Sequence, residues 1–308
     1  MKYIKIFSIA LFLALSVVNA VDISLTFVRN AFENNQNVAI DTVTGKFYSH
    51  QYSSSSYIRV YNTASDFANN AYSTVNLSSA SIYNNYFAVE NGKVFGRRDS
   101  STSAIASWDA NTGALLATNT LNNMVGNNGG TGGFSWGGYS SVNWFNDGGK
   151  LYVLGKTTAD SSNYQWRITQ VNQNLQETAT QVFDAAGTLG YAFVINGKLF
   201  TATNYSQNSI NKVYDLATGT MSSVSYNILT GGSSFYWRDA SYDAINDTVY
   251  FYNNSDNSFY KVANASVVFN APSTVPEPQT LFLLGLVIVS SVLFKNKGYF
   301  LCKKDVLQ

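Results

Sequence analysis

Few side chains in this 308-residue chain could carry out nucleophilic catalysis or bind a transition metal. The chain contains one histidine, His50, and one cysteine, Cys302. A Ser-His-Asp triad would have to use His50, and residues 21–275 cannot supply a metal site made of histidine and cysteine. His50 follows a predicted strand, and we expect it to be a surface or edge residue without a catalytic role.

Carboxylates are more numerous and could support glycoside hydrolysis, which uses a pair of Asp or Glu residues. Most aspartates, however, occupy turn positions where hydrogen bonds to nearby backbone amides are a sufficient reason for the residue type. These turn aspartates are Asp41, Asp109, Asp215 and Asp247. No recognisable motif surrounds the glutamates, which include Glu33, Glu90 and Glu177. We therefore predict a non-catalytic protein, with a carboxylate-dependent extracellular glycoside hydrolase as the alternative.

Metal ions and nucleic acid are two further ligands that the sequence allows us to consider. The polar run at residues 253–257, Asn-Asn-Ser-Asp-Asn, lacks the alternating acids and the glycine of an EF-hand loop. Residues 21–275 contain 13 Lys or Arg and 16 Asp or Glu residues, and 13 − 16 gives a net charge of −3. This balance offers no basic patch for nucleic acid. We expect a plain polar turn at 253–257, no metal, no cofactor and no nucleic-acid partner.

A glycine-rich segment, residues 126–150, carries the side chains best suited to bind a ligand by stacking. Phe134, Trp136 and Tyr139 lie among its glycines, and aromatic faces with a polar edge can stack on sugar rings. The alternative is that these three rings pack over a neighbouring part of the fold. We expect Trp144, further along the segment, to belong to the core.

An internal repeat predicts the elements that hold these residues. Five turn-plus-strand segments align at Lys46, Lys93, Lys150, Lys198 and Thr248, with spacings of 47, 57, 48 and 50 residues. The glycine-rich segment coincides with the enlarged spacing, as expected for an insertion loop on one face. Each unit has room for about four short strands, so we predict an all-β fold, a β-propeller of five blades of about 50 residues each. Six blades or a β-sandwich are the alternatives.

The composition and the turns agree with an all-β body. Aromatic residues make up 15% of the chain and charged residues only 12%, and aromatic residues suit half-buried strands. Asp-x-x-Thr-Gly turns at 109–113 and 215–219 are similar to turns of quinoprotein-like propellers. Ring closure requires the two ends to share a blade, and we predict that Ile23 to Val28 lies beside Ser266 to Phe269.

The first 20 residues are predicted to be a secretory signal peptide. Lys2 and Lys5 precede an apolar run from Ile6 to Val18, and Val18-Asn19-Ala20 fits a cleavage site after Ala20. The apolar run is short for an uncleaved anchor helix, which is the alternative. Signal peptidase is therefore an expected partner, and we expect the folded body, residues 21–271, to be exported.

The C-terminal region consists of three consecutive parts. A proline-containing linker, residues 272–280, precedes an uncharged run from Leu281 to Phe294, which Lys295 and Lys297 follow. Lysines flank membrane spans on the cytoplasmic side, so we predict one transmembrane helix with its basic stop at 281–297 and a cytoplasmic tail at 298–308. A terminal core helix is the alternative, but the run has no polar face.

These parts together resemble the PEP-CTERM sorting signal of Gram-negative bacteria, which is a short motif, a transmembrane helix and a basic end. The motif corresponds to Val275, Pro276, Glu277 and Pro278. The resemblance implies cleavage by exosortase, a membrane cysteine protease, and association with exopolysaccharide or biofilm matrix. The chain departs from the family in having lysine instead of arginine and in its additional tail. We predict a protein held at the inner membrane before sorting and then moved to the cell surface or extracellular matrix, where it binds glycan or surface protein.

Overall fold

The structure is a computed structural model, and it describes residues 20–31, 36–51, 56–78, 82, 86–98, 104–124, 142–157, 165–184, 189–203, 206–229 and 237–270. Within these ranges the chain forms 21 strands and two short helices. All 21 strands belong to five sheets of four or five strands each. The predicted all-β, five-bladed β-propeller is therefore confirmed, and the six-bladed ring and the β-sandwich are excluded.

Blades one to four are each built on a meander of four consecutive antiparallel strands, and blade five on a meander of three. The N-terminal strands β1 (Val21–Ser24) and β2 (Thr26–Asn30) are added to blades four and five. Blade one contains β3 (Gln36–Ile40), β4 (Phe47–Gln51), β5 (Tyr57–Tyr61) and β6 (Ser73–Asn76), with helix α1 (Ala64–Ala68) between the last two. Blade two contains β7 (Phe87–Glu90), β8 (Lys93–Arg97), β9 (Ala104–Asp109) and β10 (Leu115–Thr120). Blade three contains β11 (Val142–Asp147), β12 (Lys150–Lys156), β13 (Gln165–Val171) and β14 (Glu177–Asp184).

The last two blades incorporate the N-terminal strands. Blade four contains β15 (Ala192–Ile195), β16 (Lys198–Thr201), β17 (Ser209–Asp215) and β18 (Met221–Leu229), with β1 added in parallel to β18. Blade five contains β19 (Trp237–Asp243), β20 (Thr248–Asn253) and β21 (Ser258–Ala263), and β2 is its outermost strand. A short helix, α2 (Ala265–Val268), follows.

The sequence repeat corresponds to the hairpin between the first and second strands of each blade. In blade two this turn is Asn91-Gly92, and in blade four it is Asn196-Gly197; all four residues have positive φ. Two-residue turns of this kind require positive φ at both positions, which Asn and Gly tolerate at the least cost. The repeated turn motif therefore specifies where each blade begins.

Ring closure involves a different partner from the one predicted. The N-terminal strand does complete the last blade, but β2 pairs with β21, from Thr26 opposite Lys261 to Asn30 opposite Ser258. The predicted partner, Ser266 to Phe269, was wrong, because most of it is helical. The Asp247 carboxylate accepts hydrogen bonds from the backbone amide and the hydroxyl of Ser266, at 2.8 Å each, and so ties the start of α2 to the turn between β19 and β20.

Arg29 fastens the closing strand to blade one. Its guanidinium carbon lies 4.6 Å from the ring centre of Phe67 in α1 and 5.0 Å from that of Phe259 in β21. Its Nη2 also donates a hydrogen bond of 3.4 Å to the Tyr61 hydroxyl. Burial is the main reason that the pKa of Arg29 is lowered. The cation is thus stabilised chiefly by aromatic faces and hydrogen bonds, and it joins the two ends of the ring.

Several predictions concern residues outside the described ranges. They are most of the signal peptide, Glu33, the aromatic candidates Phe134, Trp136 and Tyr139, the linker with its motif Val275 to Pro278, the membrane span with Lys295 and Lys297, and the tail 298–308. Among the residues that are described, no helix has the length and apolar character needed to cross a membrane.

Candidate functional site

The innermost strands of the five blades, β3, β7, β11, β15 and β19, pack around a central axis. The hairpin register aligns equivalent positions from blade to blade. The level next to the hairpin turns, which we call the carboxylate ring, contains Asp41, Glu90, Asp147 and Asp243, with Ile195 in blade four. The level four residues earlier, which we call the polar ring, contains Asn37, Tyr86, Asn143, Tyr191 and Asp239. Four residues of strand separate the two rings by roughly 13 Å.

The aspartates of the carboxylate ring are occupied by backbone amides. Asp41 accepts hydrogen bonds from the amides of Asn91, at 3.0 Å, and Gly92, at 2.9 Å, in the next blade. Asp147 in blade three makes the same contact with blade four: it accepts hydrogen bonds from the amides of Asn196, at 3.0 Å, and Gly197, at 2.7 Å. Carboxylates that hold neighbouring turns in this way connect the blades, which accounts for them without a catalytic role.

Glu90 links three blades from the same ring. Its carboxylate accepts hydrogen bonds from the Thr42 hydroxyl in blade one and from the Asn146 side-chain amide in blade three. Only 3% of Glu90 is exposed. The sequence offered no motif for this residue, but its position, immediately before an Asn-Gly turn, is equivalent to that of Asp41 and Asp147.

The axis between the two rings is nearly filled. It contains a cavity of about 10 Å³, lined mainly by Ala, aliphatic and aromatic side chains, with Asn146 and Ser241 as the polar exceptions. A cavity needs about 10–15 Å³ to hold one water molecule. Trp144 lines this cavity and is 3% exposed, which confirms the prediction that it belongs to the core. A sugar or peptide substrate has no room there.

The polar ring is the candidate site at the other end of the axis. All five of its members are buried, with 4% exposure or less. The backbone amide of Val38 donates hydrogen bonds to Asn37 Oδ1, at 2.8 Å, and to Asp239 Oδ2, at 3.3 Å, so side chains from blades one and five meet there. Burial, opposed by hydrogen bonds to the carboxylate, raises the pKa of Asp239 to about 7. Asp239 therefore changes its charge near neutral pH.

His50 lies near this end of the axis, opposite Asn37 in the β3–β4 hairpin. Only 2% of it is exposed, and its ring centre is 6.2 Å from that of Phe87 in blade two. The expectation of a surface or edge residue was therefore wrong, because β4 is an interior strand whose side chain reaches the neighbouring blade. Within the described ranges, no group of three or more His, Cys, Asp and Glu side chains is arranged to hold a metal ion.

Asp109, Asp215 and the polar run at 253–257 form the turns predicted for them, whereas the Asp247 carboxylate accepts hydrogen bonds from Ser266 and the Tyr242 hydroxyl. Asp109 accepts hydrogen bonds from the amides of Asn111 and Thr112, at 2.9 and 2.7 Å, and the Thr112 amide is the main reason that the pKa of Asp109 is lowered. Asp215 makes the same contacts in blade four. In the polar run at 253–257, Asn253 Oδ1 accepts a hydrogen bond of 3.1 Å from the Ser255 amide, as a polar turn requires.

Glu177 is held by an ion pair. Its carboxylate pairs with Arg167 on the neighbouring strand of blade three and accepts a hydrogen bond of 2.8 Å from the Asn122 amide of blade two. The described part of the chain thus provides a structural partner for both Glu90 and Glu177.

Comparison with known proteins identifies a family, and many solved structures are similar to the chain. The profile of a family described as the olfactomedin-like domain matches residues 38–266, a range that begins within β3 and includes the innermost strands of the other four blades. The crystal structure of glutaminyl cyclase from Myxococcus xanthus is similar, with a TM-score of 0.47 and 10% identity, over 79% of this chain and 97% of that chain. No curated protein matches the sequence significantly.

Proposed function

The chain belongs to the olfactomedin-like domain family, and we propose that its five-bladed propeller is a non-catalytic binding body sorted to the cell surface or extracellular matrix. Signal peptidase removes residues 1–20, the C-terminal helix holds the protein at the inner membrane, and exosortase acts at Val275 to Pro278. The body then binds exopolysaccharide or a surface protein through one face of the propeller.

The observation that carries the non-catalytic proposal is the filled axis together with its occupied carboxylates. Glycoside hydrolysis needs two carboxylates about 5–10 Å apart beside space for a sugar and water. The axial cavity holds about one water molecule, and Asp41 and Asp147 of the carboxylate ring accept hydrogen bonds from backbone amides. This arrangement supports binding on a surface of the propeller over catalysis at its centre.

The position of the last described core residue supports processing at the motif. Phe269 is 3% exposed, and its ring centre lies 5.0 Å from that of Phe193 in blade four. The Tyr226 hydroxyl also donates a hydrogen bond of 2.8 Å to the Phe269 carbonyl. Cleavage near Val275 to Pro278 would therefore leave these contacts intact, so the released body keeps its described core.

A binding and hydrolysis assay tests this function. The mature protein is mixed with exopolysaccharide from the host bacterium, and both co-sedimentation and newly formed reducing ends are measured. We expect co-sedimentation without new reducing ends. Reducing ends that form with the wild type, and that disappear with a Glu90→Gln variant that is as stable as the wild type to urea, would instead establish the hydrolase.

A further inference from the structure

A groove of about 180 Å³ lies between blade three and blade four, away from the axis. Lys150, Tyr152, Gln170 and Gln181 of blade three line one side, and the turns of blade four at Gly197 and at 216–217 line the other. A Cβ atom at Gly197 would have no neighbour within 4 Å, so the groove is open on that side. By the measure used for the axial cavity, one water needs about 10–15 Å³, so the groove has room for a much larger ligand.

The sheet register brings the four polar side chains of blade three to one face. Tyr152 is directly opposite Gln170, and Gln181 is opposite Ile168, which also lines the groove. Residues directly opposite each other in an antiparallel pair point to the same face, as do residues two apart along a strand. Lys150, two residues before Tyr152, therefore shares this face.

Within the described ranges, three of these side chains, Lys150, Gln170 and Gln181, have no polar partner that holds the fold together, whereas Tyr152 also packs in the core. Among the described residues, no ion pair involves Lys150, and no hydrogen bond involves the side-chain amides of Gln170 and Gln181. The equivalent lysine in blade four, Lys198, instead donates a hydrogen bond of 3.2 Å to Asn270. Polar side chains that converge on a groove without an internal partner are suited to orient a ligand.

We propose that this groove binds a sugar residue that carries a carboxylate, as a unit of an acidic polysaccharide. Each glutamine amide supplies a donor and an acceptor for neighbouring sugar hydroxyls. The Lys150 ammonium is the cation for the sugar carboxylate, and no Asp or Glu lines the groove. Leu216, which is half-buried, provides apolar surface for the C–H face of the ring.

Tyr152 lines the groove from within the core, with only 6% of the residue exposed, and contributes a hydroxyl. Burial, with a smaller contribution from the Asp147 charge, raises the pKa of Tyr152 to about 12. The phenol therefore keeps its proton at neutral pH and can donate a hydrogen bond to the ligand. This inference rests on the proposed glycan binding, and it names both the sugar class and the place on the propeller.

Titration calorimetry with the mature protein tests the groove. The probe is an oligomer of galacturonic acid, and the comparison is a neutral glucan oligomer of the same length. We expect the uronate oligomer to bind more tightly than the glucan, and Lys150→Met to weaken it by about tenfold or more, because charge-assisted contacts are the strong ones. Gln181→Leu should weaken it severalfold. Lys93→Met, at the equivalent turn of blade two, should leave the affinity unchanged.

Two outcomes would overturn the inference: equal affinity for the uronate and the glucan, or a uronate affinity that survives both Lys150→Met and Gln181→Leu. Co-sedimentation with host exopolysaccharide distinguishes a failure of the groove inference from a failure of the proposed function. If the intact protein co-sediments with it and both variants do so equally well, the groove fails and the proposed function stands. If the uronate binds in the groove but the protein never enters the matrix, the proposed function fails and the groove stands.

Discussion

The carboxylate of Asp41 in blade one accepts a hydrogen bond of 2.9 Å from the backbone amide of Gly92 in blade two. Asp41 is fully buried, and it also accepts hydrogen bonds from its own turn, at the amides of Val43 and Thr44. One side chain thus fixes two consecutive hairpins relative to each other. In the sequence alone, carboxylates such as Asp41 and Asp147 could indicate a hydrolase. In this fold they connect neighbouring blades.

Asp41→Ala should therefore destabilise the whole ring. The substitution removes the acceptor of backbone amides in two blades and leaves a cavity at a fully buried position, which together cost about 2–4 kcal/mol of unfolding free energy. Urea unfolding monitored by tryptophan fluorescence measures the loss. Asp215→Ala is the matched control, because Asp215 holds only its own exposed turn and should cost much less. Equal losses for the two variants would contradict the inter-blade role of Asp41.

Arg29→Met should loosen the closing strand. Methionine keeps an apolar side chain but loses the contacts of the guanidinium with Phe67, Phe259 and Tyr61. Contacts of this kind contribute about 1–3 kcal/mol in total when they are buried. Thermal unfolding measures the effect, and limited proteolysis should show earlier cleavage near the N-terminus. Arg98→Met, at an exposed position, is the control and should behave like the wild type.

The raised pKa of Asp239 predicts a specific dependence of the unfolding free energy on pH. Its pKa is about 7 in the folded protein, against about 3.9 in an unfolded chain, so the folded state holds a proton that the unfolded state releases. The unfolding free energy contributed by this group therefore falls as the pH rises from about 4 to about 7, and it is constant above that range. Asp239→Asn removes the effect.

Urea unfolding of wild type and Asp239→Asn at pH 5 and pH 8 measures this contribution. We expect the variant to gain about 2–3 kcal/mol relative to wild type between the two pH values. Other titrating groups cancel in the comparison because both proteins contain them. A difference between the proteins that does not change with pH would mean that Asp239 titrates in its ordinary range.

The aromatic residues of the glycine-rich segment are tested separately from the groove. Trp136→Ala combined with Tyr139→Ala should reduce co-sedimentation with host exopolysaccharide by about tenfold or more, because two stacking faces are lost. Leu116→Ala, which removes an exposed side chain from β10, is the control. Full binding by the double variant would assign recognition to another part of the surface.

The blade number was predictable because the hairpin turn chemistry recurs in every blade. A turn with positive φ restricts its residues to types such as Asn and Gly, so the motif is visible in the sequence wherever a blade starts. The partner of the closing strand was not predictable in the same way. Which segment pairs with β2 depends on the free edge of β21 and on the Asp247 contacts that start α2, and both are tertiary features.

The two axial rings were missed although the sequence contains a signal for them. Asn37, Asn143 and Asp239 each lie four residues before the aspartate of the carboxylate ring in the same blade. The sequence therefore has Asn or Asp at a fixed distance before Asp in three of the five units. Four residues along a strand return to the same face, so the pattern marks two polar levels of one axis. The burial of His50 left no such signal, because it depends on contact with the adjacent blade.

The central claim, an exosortase-sorted surface protein, is tested most directly by mass spectrometry of the mature C-terminus. The protein is purified from its host with and without the exosortase gene. We predict a C-terminus near Val275 to Pro278 in the wild-type host and a chain that retains residues 281–308 in the deletion strain. A chain that ends at Gln308 in both strains would contradict the claim.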